Sequence, residues 1–219
     1  MAKDKEPLSI KQRRRRNREE IIEDIVTIAR DMIRSDGAAS LSFNAIARQL
    51  GIKPPSLYTY FDSKHAIYDA LFHRGWTLFM QQADVEMGRA GSLRDKLMRI
   101  FETYLRFAQE NPDFYQIMFQ RPVPDFVPSE ESLELSFSSL DRFTEYLQTL
   151  LESEGIDPGM PYHEARDIVL ALVHGLTELH LANNPELPVG EGRYGGLIHQ
   201  AVDTLLKAWS TENKHKESE

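Results

Sequence analysis

The sequence predicts an all-α protein in two parts, and three observations carry that prediction. Apolar residues recur at helical spacing along most of the 219 residues, and no useful stretch alternates as a half-buried strand does. Glycine, proline and capping residues punctuate those periodic segments. Charge divides unevenly: residues 1–75 hold 14 Lys/Arg against 10 Asp/Glu, whereas 76–219 hold 12 against 24. A small basic module on a larger acidic one points to a polyanion partner, although the whole chain carries a net charge of −8.

Residues 1–16 read as a flexible basic arm ending in Arg13-Arg14-Arg15-Arg16, either a solvated tail or an arm for the minor groove. Asn17 with Glu20 makes a capping-box variant, and Ile22, Ile25, Val26, Ala29, Met32 and Ile33 mark a first helix that Gly37 ends. Ser42 is a natural cap for a short second helix over 43–50. After the turn at Gly51-Ile52, Pro54 and Pro55 are acceptable only in the first turn of a third helix, which reaches about Phe61. Asp62 or Ser63 caps a fourth that continues towards Met87.

Leu97, Ile100, Phe101, Tyr104, Leu105 and Ala108 mark a fifth helix that stops at Asn111-Pro112, and Phe114 to Phe119 a short sixth. Beyond the Pro122–Pro128 loop, Leu133, Phe137, Leu140, Phe143, Leu147 and Leu150 mark a seventh, closed by Gly155. An eighth covers about 162–183 and a ninth about 193–209, and a charged tail, 211–219, is expected to be disordered. About nine helices result, divided into a helix-turn-helix domain over 17–62 and a C-terminal ligand-binding and dimerisation domain over 63–210.

Several function classes drop out. Without cysteine there is no disulfide, thiolate zinc site or cysteine nucleophile. The longest apolar run, Ile168 to Val173, is far below the ~18 residues a membrane span needs, and no signal-type apolar region follows the arginines, so a cytoplasmic protein is expected. No glycine-rich phosphate loop or nucleophile elbow is present, so neither catalysis nor a cofactor is expected.

The informative stretch is Ser42 to Lys64, SFNAIARQLGIKPPSLYTYFDSK. A short helix, a glycine turn and a second short helix make a helix-turn-helix, whose second helix enters the major groove of DNA. Ala47 is small where the helices cross, and Leu57 and Phe61 anchor the second helix on the core. Lys53, Ser56, Thr59 and Tyr60 then face outward with Tyr58 at the edge, offering hydroxyls and positive charge to phosphates and base edges.

Over residues 18–72, a long amphipathic helix followed by LSFNAIARQLGI and PSLYTYFDSKHAIYDAL resembles the tetracycline-repressor (TetR) family. That resemblance implies that Tyr58, Tyr60 and Lys64 contact phosphates and that Ser42 and Asn44 approach DNA from the second helix. It also implies that Lys53, Pro54, Pro55, Ser56 and Thr59 form the base-reading segment. Lys53 stands where many members have a Ser or Thr cap, so a phosphate is expected to satisfy the N–H groups left free there. Downstream, YLRFAQENPDFYQIMF and LVHGLTEL resemble the subclass with a Trp-His-Gly signature, of which His174-Gly175 is kept.

The C-terminal helices carry a stripe of large side chains: Trp76, Phe79, Met80, Tyr104, Phe107, Tyr115, Met118, Phe119, Phe143 and Tyr146. Part of it is core, and part is expected to line a cavity for a small apolar or aromatic effector, beside His174 and Glu178. His174 and Glu178, one turn apart, have metal-ligand spacing but no evident third ligand, so no metal is expected. Ala171, Gly175 and Ala182, with the Leu197, Ala201, Leu205, Ala208 stripe, suit a homodimer interface through the eighth and ninth helices. The expected function is a dimeric regulator, a ligand-released repressor on a pseudo-palindromic double-stranded DNA operator. The alternative is an architectural DNA-binding dimer without a ligand.

Overall fold

A computed structural model describes the backbone of residues 10–216 and the side chains of 17–210. Its helices are α1 (Ile10–Asp36), α2 (Phe43–Gln49), α3 (Pro54–Leu57), α4 (Lys64–Met87) and α5 (Leu93–Glu110). There follow α6 (Pro112–Tyr115), α7 (Glu130–Ser153), α8 (Tyr162–Asn183), α9 (Gly192–Gly195) and α10 (Ile198–Lys216). No strand occurs among the described residues.

Where helices begin follows from local chemistry. Ser63 caps α4 by accepting from Ala66 N at 3.1 Å, so of the two predicted caps it is serine that serves. Ser92 and Asp95 form a full capping box on α5, and Ser129 caps α7. Each such cap contributes about 1 kcal/mol.

Five expectations need correction. α1 begins at Ile10, not at Asn17, so residues 10–16 of the expected flexible arm are helical; lysine, glutamine and arginine are good helix formers, and no breaker separates them from the apolar stripe. Residues 1–9 and the side chains of the arginine run lie outside the described residues. α10 likewise continues to Lys216 through six residues of the expected disordered tail, which contain neither glycine nor proline. The short sixth helix is one α-turn followed by a π-type turn, Gln116–Gln120, after which Arg121 turns left-handed at φ 47°. The ninth helix is split into α9 and α10 around Gly195-Gly196; a Cβ on Gly195 would lie 2.8 Å from His180 Nδ1, so this segment crosses α8 too closely for a larger residue. Last, α3 is helical only to Leu57, and Tyr60 N and Phe61 N both bond to Leu57 O in the turns that follow. Two prolines with no N–H leave little helix to propagate.

Two apolar cores result. The first joins α1, α2 and α3 to α4 through Ile25, Ala29, Ile33, Ile46, Leu57 and Ile67. The second joins α5, α7, α8 and α10 through Leu97, Phe101, Leu147, Val169, Val173 and Val202. α6 sits at the join, with Phe114 in the first core and Tyr115 in the second. Beside Phe114, the buried carboxylate of Asp113 accepts from Arg30 Nε and from Arg34 Nε (2.7 Å) on α1. Arg30 also lies over the Phe114 ring, 4.0 Å from its centroid. α4 passes beneath at Gly75, where a Cβ would stand 2.6 Å from Met118 Sδ and 3.2 Å from Phe114 Cβ. The N-terminal module is thus held to the bundle by α4 and by a buried ion pair.

Two surface assignments also change. Phe137 of the α7 stripe is exposed. Leu205 is buried within its own chain and Ala201 is half-buried, so α10 turns Gln200, Thr204 and Ala208 outward, with Leu197 exposed just before it, instead of the whole expected stripe.

Candidate nucleic-acid interface and internal cavity

Leu57 has no exposure and Phe61 is also buried, so the segment between them is held at a fixed rotation. Lys53, Pro54, Pro55, Ser56, Tyr58 and Thr59 are consequently exposed, together with Asn44 on α2. Tyr58, 57% exposed, is steadied by edge-on contact with Phe43, ring centroids 4.9 Å apart. Ser42 has the extended backbone of an N-cap residue but makes no capping bond, so its hydroxyl is not engaged by α2. Ser42, Tyr58 and Lys64, from three separate elements, line one shallow depression with Phe43, Asp62 and Ser63. Lys64 stands at the first turn of the 24-residue α4, whose positive dipole end adds to its charge.

Tyr60 and Thr59 are more engaged than their sequence positions suggest. Tyr60 is half-buried, and Arg18 of α1 lies 5.8 Å from its ring centroid while donating to Thr59 O at 3.3 Å. The Thr59 hydroxyl donates to Ser56 O at 2.7 Å, leaving its methyl and lone pairs for an incoming group. The expected phosphate site at free N–H groups by Lys53 is not formed, because Pro54 and Pro55 have no N–H and Ser56 N donates to Lys53 O at 2.9 Å. Arg18 was not anticipated; it lies 41 residues from Thr59, and only the fold joins them.

In the bundle, α4, α5, α7 and α8 enclose a cavity of about 400 Å³, within the usual range for small-molecule sites. Trp76, Phe79 and Met80 line it from α4, and Tyr104 and Phe119 from the α5–α6 side. Phe143 and Tyr146 line it from α7, and His174 from α8. Phe107, Tyr115, Met118 and Glu178 do not. Phe107 packs behind Phe79 in the first core (5.1 Å between centroids), and Met118 is held against Gly75. Tyr115 is fully buried behind His174, and Glu178 points to Gln120, whose Nε2 donates to it at 3.0 Å.

Sequence reasoning missed Glu86, Lys96, Arg99 and Thr103, which also line the cavity. Their signal was present: Lys96, Arg99, Ile100, Thr103 and Tyr104 follow the i, i+3, i+4, i+7, i+8 pattern of one helix face. Three of those five are polar, so hydrophobic periodicity passed over them.

The cavity has two unlike ends. At one, His174 Nδ1 lies 2.9 Å from Tyr104 Oη and 3.2 Å from Tyr115 Oη, among the rings of Phe119, Phe79 and Trp76. Burial pushes both tyrosine hydroxyls well above their ordinary range, so they remain protonated at neutral pH. At the other end, where α4 stops and α5 starts, stand Glu86, Lys96, Arg99 and Tyr146, whose hydroxyl donates to Met87 O at 3.3 Å. His174 Nε2 is 4.0 Å from Glu178, and no cluster of three metal-ligating side chains occurs among the described residues.

Comparison with known proteins matches residues 25–71 to the bacterial regulatory proteins of the tetR family, and residues 97–205 to the tetracyclin repressor-like C-terminal domain. The HTH-type transcriptional regulator YobS of Bacillus subtilis is 33% identical over 93 residues, covering 42% of this chain and 48% of YobS. The chain therefore spans about half the length of that relative. The nucleoid occlusion factor SlmA of Marinobacter nauticus is 24% identical over 192 residues, 84% of this chain and 95% of SlmA. Among solved structures, FadR of Bacillus subtilis in complex with stearoyl-CoA superposes with a TM-score of 0.67 at 16% identity, covering 85% of this chain and 98% of FadR. At that identity the likeness concerns the fold. No helix of the described residues is long and apolar enough to cross a membrane. With its DNA-binding module and its C-terminal bundle both matched, the chain belongs to the TetR family of DNA-binding transcriptional regulators.

Proposed function

We propose that this protein is a cytoplasmic homodimeric repressor, released from a pseudo-palindromic operator when a small apolar or aromatic molecule enters the bundle cavity. The observation that carries the reading is the path of α4. One unbroken helix of 24 residues, about 36 Å at 1.5 Å per residue, has Lys64 at its DNA-side end and Trp76, Phe79 and Met80 in the cavity wall. A ligand pressed against that wall tilts α4 and alters the separation of the two recognition segments in the dimer. The ligand must bind the DNA-incompetent arrangement more tightly, and such coupling is typically about 1–3 kcal/mol, or 5–150-fold.

Dimerisation through α8 and α10 is supported by Ile168, Leu172 and Leu179, exposed at helical spacing on α8, with Leu197 exposed in the turn just before α10. In their midst a Cβ on Gly175 would meet nothing within 4 Å, which suits close approach by a second helix. Two-fold pairing would set the recognition segments about 34–36 Å apart, one turn of DNA.

A second reading, a DNA-bound dimer that answers to no ligand, is favoured by the match over most of the chain to a nucleoid occlusion factor. One experiment separates them. A duplex selected from random DNA is titrated with the protein at fixed salt, alone and with a panel of hydrophobic compounds. A saturable loss of affinity, abolished by Phe143→Ala, supports the sensor; unchanged affinity across the panel supports the architectural dimer.

A further inference from the structure

The charged end of the cavity has more to say about the ligand than its apolar walls do. Five buried side-chain polar atoms among the described residues lack a hydrogen-bond partner, and three belong to residues that line this cavity: Trp76 Nε1, Arg99 Nε and Thr103 Oγ1. Thr103 is 7% exposed. Trp76 belongs to the aromatic end, whereas Arg99 Nε and Thr103 Oγ1 lie one turn apart on α5; a guanidinium N–H only donates and a threonine hydroxyl can donate, so both are served by an acceptor atom. A buried donor left unpaired is costly, more so when charged, and an arriving acceptor recovers that cost.

Charge points the same way. Glu86 is paired with Arg89 at 2.9 Å, and Asp95, whose carboxylate accepts from Ser92 in the capping box, divides its charge between Arg94 and Arg99 without a direct ion pair to either. Arg99 uses Nη2 to bond the carbonyls of Arg89 and Ala90, contacts that hold the guanidinium in position without neutralising it. Lys96, one helical turn before Ile100 and in the cavity lining, has no carboxylate partner among the described residues. Arg99 and Thr103 are four residues apart on one face of α5, so a single group can meet both.

We propose that the effector is an amphipathic anion, an apolar chain ending in a carboxylate. Its chain lies among Trp76, Phe79 and Phe143, and its carboxylate lies at Arg99, Thr103 and Lys96. This deepens the sensor reading and rests on it. A neutral aromatic compound would fill the walls but leave Arg99 Nε unserved; a cation would meet Arg99 and Lys96 as like charges.

The test uses the full-length protein and N-phenylnaphthylamine, an uncharged fluorophore that brightens in apolar surroundings. It is displaced with dodecanoate, dodecanol or dodecylamine, which share a chain and differ in head group. Dodecanoate is expected to compete at about tenfold lower concentration than dodecanol, the equivalent of one modest charge-assisted hydrogen bond, and dodecylamine to compete least. Arg99→Gln should bring dodecanoate and dodecanol within about twofold of each other. Because Arg99 also bonds backbone carbonyls, Lys96→Gln provides a second variant, expected to narrow the ratio to about threefold while the melting temperature stays as in the parent. Equal competition by dodecanoate and dodecanol, or strongest competition by dodecylamine, overturns the carboxylate assignment and leaves an apolar sensor standing. Failure of the fluorophore itself to bind overturns both.

Discussion

Asp113→Ala removes a carboxylate with no exposed side-chain surface that accepts from two arginines of α1. Removing one partner of a buried ion pair costs about 3–5 kcal/mol, largely because the remaining charge is stranded. Here the stranded groups are not fully enclosed: the Arg30 and Arg34 side chains are 27% and 40% exposed and can rehydrate once released. The expected loss is therefore at the lower end, about 3 kcal/mol. For a chain of this size, 1 kcal/mol moves the melting temperature by about 2–4 °C, so the shift should be about 6–12 °C downward in differential scanning calorimetry. Asp113→Asn, which retains acceptor oxygen but not charge, should fall between the two. Because Asp113 ties α1 to α6 at the join of the two cores, both variants should also change operator affinity, although neither touches the expected DNA face. A shift below about 3 °C for Asp113→Ala would refute the claim that this pair holds the N-terminal module to the bundle.

Lys64→Ala should weaken binding to all duplexes and lower the slope of log affinity against log salt by about 1, as for one phosphate contact. Thr59→Val should instead shift base preference, at about 1–3 kcal/mol per lost base contact, measured by binding to a set of singly substituted duplexes. Gly175→Leu has free space inside the protomer, so it should leave the protomer fold intact while weakening the dimer, seen as dissociation by light scattering at micromolar protein. Burial pushes the Tyr68 hydroxyl, which donates to Ala38 O, up to about 12 from 10.0. Its neutral form is favoured by folding, so this contribution is full below pH 10 and lost as pH rises from 10 to 12. Tyr68→Phe should therefore be less stable than the parent at pH 9 and decline less steeply above pH 10 in urea unfolding.

Much of this protein was legible before folding. Helical periodicity, the cap at Ser63 and the Gly51 turn set out the order of elements, because these are short-range demands of backbone geometry and apolar spacing, whereas Ser42 takes the N-cap position without making the capping bond. The outward positions of Lys53, Ser56 and Thr59 were expected from Leu57 and Phe61 as anchors; both are buried as expected, although α3 ends at Leu57 and Phe61 is reached through the turns that follow. Helix limits were less legible where no breaker stands, as at Ile10 and Lys216, because lysine, arginine and glutamate extend a helix without marking its end.

What tertiary structure alone decided is which large side chains stop short of contact and which polar ones are enclosed with them. Phe107 and Phe143 have the same chemistry, yet one packs behind Phe79 and the other lines the cavity. Arg99 and Lys96 look like ordinary solvated residues in the sequence, and Asp113 like one more acidic position. Their roles come from residues far along the chain: 83 separate Asp113 from Arg30, and the cavity that Arg99 faces needs four helices to enclose it. Spacing within a helix governs the direction of a side chain, whereas burial and charge environment depend on what another helix brings opposite it.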